Sequence, residues 1–208
     1  MKSDMVQVTN TDDGIEAALS AAAKSAEYRG LERKSALHLR LLAEETLGMV
    51  RQITGETEAE FWIESEGTSF EIHLVAHPIV TGSMKRELIK ASSSGKNEAA
   101  RGFMGKIREV FEKFLLTEET GGKPDYTQGV MLMPDMAMND PMTYMAAESM
   151  ISWSMNRYKE ALEKEKAESE SAKEKWDELE KSIVANIADE IKIAVTDGKV
   201  EMIVYKKF

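Results

Sequence analysis

Cysteine is absent from all 208 residues, which excludes a disulfide framework, thiol catalysis and thiolate zinc sites. Histidine is scarce. His38, His73 and His77 are scattered along the chain, and only a meeting of His38 with His73 across a sheet–helix interface would pair two of them as metal ligands. Basic residues are in deficit, with 27 Lys and Arg against 37 Asp and Glu and a net charge of −10. Phosphate backbones need clustered cations, so this balance argues against duplex DNA or RNA partners and against docking on an anionic membrane surface. No run approaches membrane-spanning length, and the opening MKSDMVQVTNTDDG has no apolar signal core. A cytoplasmic protein is therefore expected. What is present is an ordinary globular mixture, 42% hydrophobic and 31% charged, able to bury a real core as one domain with an insertion.

Periodicity divides the chain into three stretches. Met5 to Thr9 alternates weakly as a first strand, and Thr11-Asp12-Asp13 offers caps for an alanine-rich helix, Gly14 to Tyr28, stopped by Arg29-Gly30. A second helix, Glu32 to Ile53, places Leu37, Leu41, Leu42, Glu45 and Met49 on or near one face and ends at Gly55. Two strand-like runs follow, Ala59 to Ser65 and Ser69 to Ala76. In the second, Phe70, Ile72, Leu74 and Ala76 alternate with Glu71, His73 and Val75, as on a sheet with one buried face.

From Pro78 to about Lys175 the character changes. Ser92-Ser93-Ser94-Gly95-Lys96 leads into a predicted helix, Glu98 to Leu116, and a turn-rich loop, Thr117 to Gln128, precedes the methionine-dense segment Gly129 to Met155. Tyr158 to Lys181 is mostly Glu, Lys, Ala and Ser, and reads as a solvated helix. The last stretch is an apolar-faced helix followed by IKIAV, the turn Thr196-Asp197-Gly198-Lys199 and VEMIVYKKF. Asp-Gly between alternating runs is a strong hairpin signal.

This order of elements resembles the histidine-kinase-like ATPase (GHKL) superfamily, and within it the small bacterial anti-sigma-factor serine kinases. LLAEETLGMV resembles that family's N-box helix, and IADEIKIAVTDGKVEMIVYKKF resembles its closing helix end and hairpin. The resemblance implies an α+β two-layer sandwich. Its mixed sheet would comprise Met5–Thr9, Ala59–Ser65, Ser69–Ala76, Ile191–Val195 and Val200–Lys206, with helices on one face. Residues 1–77 and 176–208 would form the core, and 78–175 a large, mostly helical insertion in place of the ATP lid.

Carried over residue by residue, the resemblance puts Glu44 at the position of the catalytic glutamate, with Glu45 one register away. The Mg²⁺-binding asparagine position, four residues on, holds Gly48, or Met49 in the shifted register, and neither supplies the oxygen a hard cation needs. Where the family reads adenine with an aspartate, this chain has Ala76-His77-Pro78-Ile79, which leaves His77 at the nucleotide position. The phosphate turn is missing before the last helix. Gly95 and Lys96, with Arg101 and Gly102 in Arg101-Gly102-Phe103-Met104-Gly105, could cradle phosphate at a helix start or could form a plain polar loop. Either Glu44 or Glu45 could be a base or a surface carboxylate.

ATP and Mg²⁺ are thus the cofactors the resemblance implies, on degraded motifs. The expectation is a regulatory protein of anti-sigma type acting through a protein partner, with weak or absent ATP binding. The alternative is an active ATP-dependent serine/threonine kinase acting on an anti-anti-sigma-type partner, and a sensor domain with another small ligand is a third class. Flexible thioethers suit recognition, so Gly129 to Met155, with Tyr144 and Trp153, is the expected partner surface; packing of these side chains on their own domain is the competing view. A homo-oligomer is compatible with either.

Overall fold

The apolar alternation beginning at Val6 builds an antiparallel sheet of six strands in the computed structural model, which describes residues 1–9, 12–54, 57–78, 151–167, 169–196 and 199–208. β1 (Val6–Val8) precedes helices α1 (Asp12–Tyr28) and α2 (Arg33–Thr54), and β2 (Thr57–Glu66) and β3 (Ser69–Pro78) follow. The chain returns with β4 (Ile151–Ser154), α3 (Met155–Glu165), α4 (Glu170–Lys181), α5 (Ile183–Ile187), β5 (Glu190–Thr196) and β6 (Lys199–Lys207). Strand order is β1-β2-β3-β6-β5-β4.

Every strand pairing is antiparallel, which corrects the expectation of a mixed sheet. Turns set two of these pairings directly, and docking of one hairpin on the other sets the central one. Both β2–β3 and β5–β6 are hairpins, and β6 docks on β3 with Ala76 opposite Val200 and Phe70 opposite Lys206. Gly67, at φ 56°, turns the first hairpin in the left-handed region that glycine enters without Cβ strain. The Asp197-Gly198 tip lies outside the described residues.

One face of the sheet is apolar. Phe61, Ile63, Phe70, Ile72, Leu74, Ala76, Ile191, Ile193, Val200, Met202 and Val204 are all buried, in a single cluster with residues from every described helix. Helix α1 contributes Ala18, Ala22 and Ala26, a small-residue stripe at i, i+4 and i+8 that brings it close to its neighbours. It ends in a Schellman pair at Gly30, in which Leu31 N–H donates to Ala26 O at 3.0 Å and Gly30 N–H to Glu27 O at 2.9 Å. Arg29 then clamps this corner to β2 by donating to the Ser65 carbonyl and, at 2.9 Å, to Ser65 Oγ.

In α2 the buried stripe is Leu39, Leu42, Ala43, Thr46, Leu47 and Met49. Leu37, expected inside, is 62% exposed, because the helix sits on the sheet with the 39–42–46 line inward and Leu37 falls past its edge.

Tyr158 to Lys181 is also not one solvated helix. Ser169 caps a new helix by accepting from Ala172 N–H, and Tyr158, Leu162, Ala172 and Leu179 are buried where α3 and α4 face the core. The strand β4, which the sequence placed within 78–175, belongs to the sheet and brings Trp153 and Met155 into the core at 3% and 0% exposure. Among the described residues no helix is long and apolar enough to cross a membrane.

Candidate functional site

Helix α2 has the N-box-like residues on its outer side. Glu44 is exposed and makes no hydrogen bond or ion pair with another described residue, whereas Glu45 is half-buried. Gly48 lies one turn beyond Glu44 on the same side. It is exposed, and a Cβ built there would meet nothing within 4 Å. The only hydroxyl of this turn, on Thr46, points inward and donates to Leu42 O at 2.6 Å, so it is unavailable outside. Among the described residues of this turn only the exposed Glu44 and half-buried Glu45 carboxylates remain, and the position one turn beyond Glu44 supplies no oxygen, which fits poorly a Mg²⁺ ion that needs several hard ligands. His77 lies in β3 opposite Glu58. Gly95, Lys96, Arg101 and Gly102, together with the methionines before Met155, lie outside the described residues.

The other face of the sheet carries a second constellation that sequence reading missed. Alternation sends Trp62, Glu64, Glu71, His73, Ile203, Tyr205, Glu190 and Lys192 to the side away from the apolar core. Two transverse rows result from the register. Trp62, His73, Ile203 and Lys192 form one, and Glu64, Glu71, Tyr205 and Glu190 form the next.

Within the first row the Trp62 and His73 rings stack, with centroids 4.8 Å apart and planes 6° from parallel. His73 is only 8% exposed. Its Nε2 lies 3.3 Å from Glu71 Oε2, but not in hydrogen-bonding geometry, so both buried ring nitrogens are left without a hydrogen-bond partner. Because His38 rides on α2, against the opposite face, the two histidines do not meet as ligands.

Cations already sit on this face. Lys2 Nζ lies 4.5 Å from the centre of the Trp62 ring and 3.1 Å from Glu64 Oε1, and Lys192 Nζ lies 5.1 Å from the Tyr205 ring. The Trp62 indole donates to Glu64 Oε1 at 2.9 Å. That bond first, and Lys2 next, hold the Glu64 carboxyl below its ordinary value. Burial, followed by the charges of Glu71, Glu201 and Glu190, pushes the Tyr205 hydroxyl up. The face therefore sets carboxylates beside its aromatic rings, with a lysine over each of Trp62 and Tyr205.

Two hollows flank these rows. One, about 480 Å³, is lined by Lys2, Arg29, Glu64, Glu66, Ser69 and Glu71 among others. The second, about 530 Å³, includes Ser154, Asn156, Arg157, Glu190, Lys192 and Ile203. In the second, the anion position at the start of α3 is already filled from within. Glu190 accepts from Asn156 N–H at 3.2 Å and Ser154 Oγ at 3.0 Å, and so serves as that helix's capping carboxylate.

No family model matches the chain, and no curated protein matches it.

Proposed function

We propose that the protein is a regulatory module of anti-sigma-factor, histidine-kinase-like ATPase type that acts by binding a protein partner, with nucleotide binding weak or absent. The observation that supports this reading is the outer side of α2, where an exposed Glu44 is followed one turn later by Gly48 in open space instead of an oxygen ligand. An adenine-reading carboxylate and a pre-helical phosphate turn are also missing from the positions where the resemblance would put them. A hydrogen bond to a charged group is worth about 1.5–3 kcal/mol, so loss of all three contacts weakens affinity by several powers of ten.

Calorimetric titration of the full chain with ATP, with and without Mg²⁺, tests this. The expected result is no saturable binding at micromolar nucleotide. Micromolar binding strengthened by Mg²⁺ would overturn the reading in favour of an active serine/threonine kinase acting on an anti-anti-sigma-type partner. That Glu44 makes no hydrogen bond or ion pair with another described residue is the observation that favours this second reading. In that case Glu44→Gln should abolish transfer while leaving nucleotide affinity unchanged.

A further inference from the structure

We infer that the sheet face opposite the described helices is a cation-recognition surface, which seats an arginine or lysine side chain from a basic segment of a partner protein against Trp62, His73, Glu64 and Glu71. This deepens the reading of the protein as a partner-binding module but does not depend on α2, and ATP binding there would leave it standing.

Three independent features point to a cationic occupant. The first is charge. Glu58, Glu60, Glu64, Glu71, Glu190 and Glu201 share this face by strand register and outnumber the lysines there (Lys2, Lys192, Lys199 and Lys207), in a chain of net charge −10. The second is the stacked Trp62–His73 pair, a flat π surface beside those carboxylates, with a hollow of about 480 Å³ reaching Glu64 and Glu71. The chemistry of that surface is shown by the chain's own Lys2, whose ammonium lies over Trp62 and on Glu64 while its side chain remains 52% exposed and so displaceable.

The third is His73. Its side chain is nine-tenths buried, its ring edge faces Glu71, and neither nitrogen has a hydrogen bond. Buried polar atoms in native proteins are almost always satisfied, so this one marks an incomplete polar cluster. A guanidinium paired with Glu71 brings several N–H donors to the ring edge that carries the accepting nitrogen, in the plane of the imidazole. An anion or an apolar segment would supply neither contact.

The experiment uses the full-length protein and two synthetic nonapeptides, one with alternating Arg and Ser, the other with Glu in place of Arg. Binding is read by calorimetry and by the indole N–H resonances of Trp62, Trp153 and Trp176 in a ¹⁵N spectrum. The Arg peptide is expected to bind and to shift the Trp62 indole signal selectively, and the Glu peptide to do neither. Glu64→Gln with Glu71→Gln, an isosteric pair at half-buried carboxylates, should weaken binding about tenfold or more with an unchanged circular dichroism spectrum. Lys2→Gln should tighten binding more than Lys34→Gln, because only Lys2 competes for the same ring and carboxylate. Failure of the Arg peptide to bind, binding that leaves the Trp62 indole unmoved, or equal effects of the two lysine substitutions would each overturn the inference. The last outcome would reduce the attraction to net charge alone.

Discussion

Asp189 shows how single side chains hold the turn from α5 into the terminal hairpin. Its carboxylate accepts from Lys206 Nζ at 2.8 Å and from Lys207 N–H at 2.6 Å, while its own N–H donates to Tyr205 O at 2.9 Å. Burial opposes ionisation here, but the Lys206 and Lys207 hydrogen bonds and the Lys206 charge outweigh it and leave the carboxyl below its ordinary 3.8. A depressed folded-state pKa contributes stability that is complete above the unfolded value. It is lost as pH falls below 3.8 through the folded value. Asp189→Ala should therefore cost about 1 kcal/mol at neutral pH, a charged-bond value discounted for a half-exposed group. The same variant should show a smaller loss than the parent on acidification below pH 4, measured by urea denaturation. Gly48 calls for the opposite change. Since a Cβ there meets open space, Gly48→Ala should raise stability by up to about 1 kcal/mol through helix propensity, seen as a higher melting temperature.

Elements owe their positions to packing stripes. The alanines of α1 permit a close approach that a branched side chain would prevent, so Ala22→Leu at 0% exposure should destabilise by about 1–3 kcal/mol. A neutral result in denaturant titration would mean that α1 is free to move outward. Trp153 and Met155 carry the same logic to the end of the methionine-dense segment. Placed by sequence on a partner surface, both are instead core residues, because the returning chain adds β4 to the sheet and starts α3 against it. Met155 should resist peroxide oxidation in the native protein, as mass spectrometry of its tryptic peptide would show, whereas the 50%-exposed Met5 should oxidise readily. Met155→Ala should cost about 2–5 kcal/mol.

Across the whole molecule, two faces of one sheet divide the work. The apolar face gathers all five helices of the described residues into a single buried cluster, and β6, between β3 and β5, is the strand that joins the N-terminal hairpin to the C-terminal one. Removing residues 199–208 takes away Val200, Met202 and Val204, each at 1% exposure or less, and splits the sheet at its middle. Such a truncated chain should show no cooperative thermal transition by circular dichroism. Loss of the three-residue edge strand β1 should only lower the midpoint, because an edge strand shares one ladder and not two.

Local signals were sufficient for much of this. Alternation at Phe70 to Ala76 fixed which face of β3 is buried, Arg29-Gly30 marked the end of α1, and the runs on either side of Asp197-Gly198 became paired strands, since period, caps and turns are properties of a few adjacent residues. The N-box-like positions Glu44 and Gly48 were legible as residue types, although their exposure was not. Which residues meet across strands depends on register between segments far apart in the chain. Trp62 reaches His73, and both come beside Tyr205 and Glu190, only once β2, β3, β6 and β5 are aligned. Whether a methionine is core or surface is likewise decided by where the chain returns to the sheet. Composition told of a cation-poor, acidic protein; the tertiary structure alone placed its carboxylates around two aromatic rings, because such contacts arise from pairings that no local window of sequence contains.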